Sequence, residues 1–561
     1  MISNSSLRRF TLACVIALVG CGGDSSSSPT DGGTPDLKRV VDLTGPRSGV
    51  GAACETGRGP HGTCKGDDSI CFGDGEFGFK GGYCSQRCNS VACPSDAECV
   101  KVAGGFDICL ALCNSDADCR TPGYVCTDYQ ACVPVGGIYL GSEVRPGTNA
   151  GAACVQPTVA PPNGSPFEPN QQLSTITGGE VHLAVDELRG TAVAAWIQLY
   201  GTQSIGVVSS QDGGASWSAP SFLPLPTSID HNDAQSDPVV AVDSEGRYFI
   251  TWIGFNGNTG AGFNVYVARS EDGGITFPDL FLAAPKTEFT TAAFLDKPWI
   301  AVGPDDSIYI TWSAIVNPQG NAVIRIARST DHGQSWSAPV TVTPDDSVFH
   351  NLAEVAVAQD GTVYVANVEL NASNFGDPAN KIALQRFSSA LVPEGGRIVL
   401  SKGADSPPFD EPSLAVDGNN VYVAFASGTA AGDWDIRVVA SHDRGVTVLP
   451  SVKANDDASC ATHLHPGVAV DGAGKLHVVF YDNRYLEGAL MHTASAGTGT
   501  LSFAQNTFVN DKPFGFTTER NAIDWLGDYV GITAHGNHVY VVWTDPRVNQ
   551  TSQIFFSRAG F

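Results

Sequence analysis

One two-strand pattern recurs seven times between residues 180 and 545, and few folds can accommodate a chain that repeats itself at this interval. The first halves of the copies begin at Val181 (VHLAVD), Pro238 (PVVAVD), Pro298 (PWIAVG), Glu354 (EVAV), Pro412 (PSLAVD), Pro466 (PGVAVD) and Tyr529 (YVGI). The second halves end at Trp196, Trp252, Trp312, Asn367, Phe425, Phe480 and Trp543. Successive copies lie 54 to 63 residues apart. Each offers two apolar strands joined by a Gly/Asp turn, followed by two more polar strands. Four-stranded units at this period are the blades of a β-propeller. A blade buries its faces only against its neighbours, so the ring must close. The chain ends on Ile554-Phe-Phe-Ser557, a third strand, and Gln172-Leu-Ser-Thr-Ile176 is expected to supply the missing outer strand. The expectation is an all-β, seven-bladed ring over 171–561, with six blades as the alternative if one copy is misread.

A second motif sits between the third and fourth strands. It reads Ser210-x-Asp212-x-Gly214-x-x-Trp217, Ser270-x-Asp272-x-Gly274-x-x-Phe277, Ser329-x-Asp331-x-Gly333-x-x-Trp336 and Ser441-x-Asp443-x-Gly445-x-x-Val448. In a hairpin turn, Asp accepts bonds from turn amides and Gly takes a backbone angle other residues avoid. The motif resembles the sialidase-type Asp box nearly residue for residue in three copies, and the resemblance covers about residues 170–561. It implies a sialidase-like propeller in which Asp212, Asp272, Asp331 and Asp443 are structural and lie on the face opposite any site. Known sialidases pair three carboxylate-clamping arginines with a Tyr/Glu nucleophile and an Asp acid/base. The first arginine usually precedes the first blade, where this chain reads QLSTITGGE without one.

If the innermost strands run away from the functional face, two sets of residues line that face. Those before the innermost strands are Asp237, Asp296, Lys297, Glu354, Asp410, Glu411, His463, His465 and Asp528. Those after the second strands are Tyr481-Asp482-Asn483-Arg484 and Thr544-Asp545-Pro546-Arg547. Arginine grips a carboxylate or sulfate bidentately, so two D-x-R sequences on adjacent blades offer a clamp, with inter-blade ion pairs as the structural reading. Glu411 and Asp528 can act as the acid and base carboxylates of a glycosidase, and in a sialidase-type reading Arg484 and Arg547 are the clamp and Tyr529 or Tyr481 with Glu411 is the nucleophile. A ring of acidic residues can equally hold Ca2+, and no cofactor is otherwise required. His463 and His465 alternate along an extended segment and should face one side.

The amino-terminal part reads differently. Arg8 and Arg9 precede a short apolar run, Phe10 to Val19, too short to span a bilayer. The run ends Leu18-Val19-Gly20-Cys21, which resembles the bacterial lipobox and implies a signal peptide over 1–21 with lipidation at Cys21. A Ser/Gly-rich stretch over 22–50 is expected to be a flexible tether. Twelve cysteines between Cys54 and Cys132 crowd the segment 51–135, as in a disulfide framework that replaces an apolar core. Residues 136–170 form a linker. Setting aside Cys14 in the leader and Cys21, and pairing those twelve among themselves, leaves Cys154 and Cys460 as an expected bond from the linker to a late blade.

Net charge is -26, which repels phosphate backbones and argues against nucleic acid. It also argues against docking on anionic lipid, so attachment to the outer membrane or cell surface falls to the lipid on Cys21. The leading functional expectation is a surface lipoprotein whose propeller binds glycan or protein. The alternatives are an exo-acting glycoside hydrolase of sialidase type on acidic glycans, and a purely structural envelope spacer.

Overall fold

Apolar β-branched runs broken every few residues by Gly/Asp turns cannot form helices, and they pair into sheets instead. Here they build the expected ring. The computed structural model describes residue 52 and short stretches between 69 and 134. From 165 to 561 it describes all but 200–202, 228, 258–260, 285–293, 316–321, 345, 347, 371–379, 402–409, 430–432, 458–460, 485–488, 513, 515–524 and 549–550. Cys21, Cys154, Cys460 and the leader lie outside the described residues, and with them the expected lipidation and the expected Cys154–Cys460 bond.

Among the described residues, seven antiparallel four-stranded units follow one another, numbered here as blades 1 to 7. Their innermost strands are Gly178–Asp186, Ala234–Val242, Phe294–Val302, Phe349–Val357, Ser413–Asp417, His463–Val470 and Gly531–His535. Blade 2 shows the scheme, with Ala234–Val242 paired to Tyr248–Asn256, that to Ala261–Ser270, and that to Asp279–Ala284. Blades 3 and 4 are also joined by one parallel bridge, Ala322 to Phe349.

The chain's two ends close the ring within blade 7. Its third strand, Gln553–Gly560, pairs outward with Gln171–Gln172, placing Phe555 opposite Gln172. The closing strand is shorter than the expected 172–176. Ser174 turns the chain inward, accepting a bond from the Ile176 amide (3.1 Å), before the first inner strand begins.

Blade faces are apolar on both sides because each is sandwiched between neighbours, so inner strands read as continuous buried runs. Trp196, Trp252, Trp312 and Trp543 occupy matching places in the second strands and are fully buried. Burying such a side chain contributes about 3 kcal/mol.

The four Ser-x-Asp-x-Gly turns are alike atom for atom. The Gly214, Gly274, Gly333 and Gly445 amides each donate to the motif serine, at 2.8, 2.9, 2.9 and 2.8 Å. Asp212 accepts from the Ser216 amide at 2.8 Å and from its hydroxyl at 2.6 Å. These bonds hold the Asp212 and Asp443 carboxyls down at about 2. Gly274 sits at φ +85°, and a Cβ there would come 2.0 Å from Val193 Cγ2, so the turn of blade 2 seats directly on blade 1. Antiparallel pairing places these turns at the end opposite the starts of the innermost strands. The Gly213 amide accordingly bonds the Gly190 carbonyl, in the turn after the innermost strand of blade 1 (2.7 Å).

In the cysteine-rich segment the described pieces are three two-stranded ladders with Cys93–Cys109 and Cys119–Cys132 disulfides. Among the described residues only Cys113, Cys119 and Cys132 cluster closely enough to hold a metal, and all three are disulfide-bonded.

Candidate functional site

Five innermost strands slip register at the same place, between Gly179 and His182, Ser236 and Val239, Asp296 and Trp299, Asn351 and Glu354, and Leu464 and Gly467. Within each slip one non-glycine residue takes a left-handed φ: Glu180 (49°), Asp237 (57°), Lys297 (46°), Leu352 (53°) and His465 (48°). A β-bulge of this kind re-aims one side chain and kinks the strand. Each left-handed residue costs about 1–2 kcal/mol. Glu411 and Asp528 hold the matching repeat position in blades 5 and 7. The hub is therefore ringed by one residue per blade, and six of the seven are ionisable and buried.

Lys297 gathers half of this ring. Its Nζ donates to Glu180 and, at 3.0 Å, to Asp237, and it pairs with Asp528 at 2.8 Å. It also lies 5.8 Å from the centre of the Tyr529 ring. Burial opposes the charged ammonium, but the surrounding carboxylates outweigh it and hold Lys297 well above its ordinary value. Burial would raise Asp237, but the Lys297 ammonium and the hydrogen bond with Glu180 together hold it below its usual range. Glu180 is pushed up by burial.

Glu411 has no such partner. It is 3% exposed and, among the described residues, neither carboxyl oxygen finds a hydrogen bond. Burial pushes its carboxyl well above the usual range, with Lys297 only partly opposing. Glu354 is raised by burial as well, although it accepts the Leu414 amide at 2.9 Å. Both line a cavity at the hub with His182, Trp299, Pro412, Pro466 and Tyr529. Trp299 packs edge-on between His182 (5.2 Å) and Tyr529 (5.6 Å). Burial pulls the His182 imidazole down to about 4, so it is neutral.

The sequence-selected residues divide. Glu411, Asp528 and Tyr529 meet at the hub, but the Tyr529 hydroxyl is already committed to the Pro238 carbonyl (2.9 Å). Tyr481 is elsewhere, its hydroxyl exchanging bonds with the Thr544 amide and carbonyl (both 3.0 Å), which ties blade 6 to blade 7. The two arginines are not brought to the hub. Arg484 bonds Asp482 (2.7 Å), Asn506 (2.7 Å) and Asp456, while Arg547 bonds Asp545 (2.5 Å), Asn170 (3.0 Å) and Asp511. Asp456 and Asp511 follow the outermost strands of blades 5 and 6, and Asn506 and Asn170 precede those of blades 6 and 7. Each arginine thus ties the outer edge of its blade to the blade before it. They share no partner, so the expected clamp is not assembled.

The histidine pair is likewise split, because the bulge after Leu464 breaks the alternation that would have aligned them. His465 bonds Asp410 at 2.5 Å. His463 lies between Asp457 (3.3 Å) and Asp482 (3.4 Å). Those carboxylates overcome its burial and push it up to about 10. Glu180 is not among the residues that the repeat pattern singles out. The usable signal was the residue preceding Pro238, Pro298, Pro412 and Pro466, but blade 1 carries Val181 at that point.

No protein-family model matches the chain. No curated protein matches it either. Solved structures share its general outline. A Hadza microbial sialidase is 14% identical with a TM-score of 0.41, over 64% of this chain and 73% of that one. A polysaccharide lyase, an ulvan lyase, is 11% identical with a TM-score of 0.47, over 69% and 95%. The NanB sialidase of Streptococcus pneumoniae, as a point mutant, is 12% identical with a TM-score of 0.38, over 71% of each.

Proposed function

We infer that the chain is a lipid-anchored bacterial surface protein whose propeller captures glycan or protein ligands at the hub-ring end. The observation that carries this is Glu411, a buried carboxyl with both oxygens unpartnered, facing a cavity at the axis. Finished folds rarely leave such groups unsatisfied, and a ligand would complete this one. The anchor rests on Leu18-Val19-Gly20-Cys21 and the tether behind it. In a bacterial host, Cys21→Ser should move the protein from the membrane to the soluble fraction. That soluble chain should retain named ligands on a glycan array or a panel of purified envelope proteins. Capture indifferent to Glu411→Gln would remove the hub from the reading.

A second reading is an exo-acting glycoside hydrolase of sialidase type on acidic glycans. It is favoured by the environments of two hub carboxyls being pushed apart, Glu411 raised by burial and Asp528 ion-paired with Lys297, which is the division of labour glycosidases use. Release of a fluorophore from a sialoside, lost in Glu411→Gln, would make this the better reading. Turnover that depends on Arg484 or Arg547 as direct ligands is not expected, because both are already fully paired.

A further inference from the structure

The cavity beside Glu411 has about 20 Å³ of space for water-sized groups. At ~10–15 Å³ per such group, it admits one or two, and a sugar ring does not fit. Its walls are Trp299, Tyr529, Pro412 and Pro466, and its acidic groups are the Glu411 and Glu354 carboxyls. The same hub shows what satisfies carboxyls there. The Lys297 ammonium stands 3.0 Å from Asp237 and 2.8 Å from Asp528, near the face of Tyr529.

We propose that the hub cavity recognises one primary ammonium group, received by Glu411 and Glu354 against Trp299 and Tyr529. An ammonium is water-sized, carries three donors and is favoured beside aromatic rings. The ionisable groups that act on Glu411 are Lys297 from blade 3, Glu354 from blade 4, Asp528 from blade 7 and Asp237 from blade 2. The Asp237 and Asp528 carboxylates outnumber the single Lys297 ammonium between them, so the local field favours a cation. On binding, the Glu411 O–H bond gives its proton to solvent, and the carboxylate left behind accepts an N–H bond from the ligand. Two sources present this group, an amino sugar and a lysine side chain. The inference deepens the reading of the hub end as the binding face.

The test titrates the full Cys21→Ser chain with glucosamine and with Nα-acetyl-lysine amide, with N-acetylglucosamine and Ca2+ as controls. Calorimetry at pH 7.5 in two buffers of different ionisation heat counts the protons released. Nα-acetyl-lysine amide, fully an ammonium at this pH, should bind with about one proton released and an affinity rising up to about tenfold per pH unit, or glucosamine, itself partly deprotonated there, should bind with a smaller net release. The acetylated sugar should fail, and Glu411→Gln should weaken binding at least about tenfold without lowering the urea midpoint. Should that variant not fold, the pH dependence and proton count of the unaltered chain decide alone. Equal binding of the acetylated sugar, no amine binding, or Ca2+ bound in place of amines would each overturn the proposal. Loss of ligand capture with amine binding intact would sink the binding-face reading alone. Amines that do not compete with a captured ligand would sink the deepening alone.

Discussion

The two ends of the propeller are made by the same strands and obey different rules. At the turn end the connections between first and second strands are short and alike, from 418–419 to 243–247. Four turns there close on themselves through bonds between residues two to four apart, such as Ser210 with Gly214 and Asp212 with Ser216. At the hub-ring end the connections range from 430–432 to 509–530. The bonds that matter there join residues far apart in sequence, with Lys297 reaching back to Glu180 and forward to Asp528. The turn end is a local structure repeated. The hub end is one assembly that exists only when the ring is closed, and that is where a ligand can find groups the fold itself leaves unsatisfied.

This contrast can be broken at either end. The largest effect is expected from Lys297→Met, which leaves Glu180, Asp237 and Asp528 buried without their cation. Removing one partner of a buried ion cluster costs about 3–5 kcal/mol, measurable as a fall in the urea midpoint, and an unchanged midpoint would show that the ring is not held by charge. At the turn end, Gly274→Ala combines a left-handed backbone with overlap on Val193 and should cost about 2–4 kcal/mol. Gly395→Ala has a similar φ (76°), but its nearest atom is 3.5 Å away on Arg386, so it should cost about half as much. Equal losses would deny that the turns are seated on neighbouring blades. Arg547→Ala should loosen ring closure by about 2 kcal/mol and leave ligand capture unchanged. Lost capture at full stability would restore the arginine to the binding face.

The smallest effects are in pH. His463 is raised from 6.5 to about 10 in the folded state, so its contribution is complete below pH 6.5 and disappears as pH rises through about 10. Asp212 and Asp443 are lowered from 3.8 to about 2, so theirs is present above pH 3.8 and disappears as pH falls through about 2. Denaturation midpoints from pH 7 to 10 should fall less steeply in His463→Gln than in the unaltered chain. Those from pH 4 to 2 should flatten in Asp212→Asn. A reversal of either slope would break the electrostatic part of the comparison.

Blade count, ring closure near Gln172 and the Ser-x-Asp-x-Gly turns were legible because each is written in residues close together. The candidate site was legible only in part. Glu411, Asp528 and Tyr529 stood out by position, but Arg484 and Arg547 looked equally chemical, since a sequence displays a side chain's type and not its aim. Glu180 did not stand out at all, because the proline that marks the equivalent position in four other blades is missing there.

The amino-acid sequence by itself determined the strands, their number and their turns, since hydrophobic period and turn chemistry act over a few residues. Only the tertiary structure decided which charges meet. A bulge of one residue turns a side chain toward the hub, and closure of the ring then sets Glu180, Asp237, Lys297 and Asp528 within bonding distance while leaving Glu411 alone. Burial magnifies the difference, because a carboxyl without a counter-charge in a low-dielectric hub is the group most in need of a ligand.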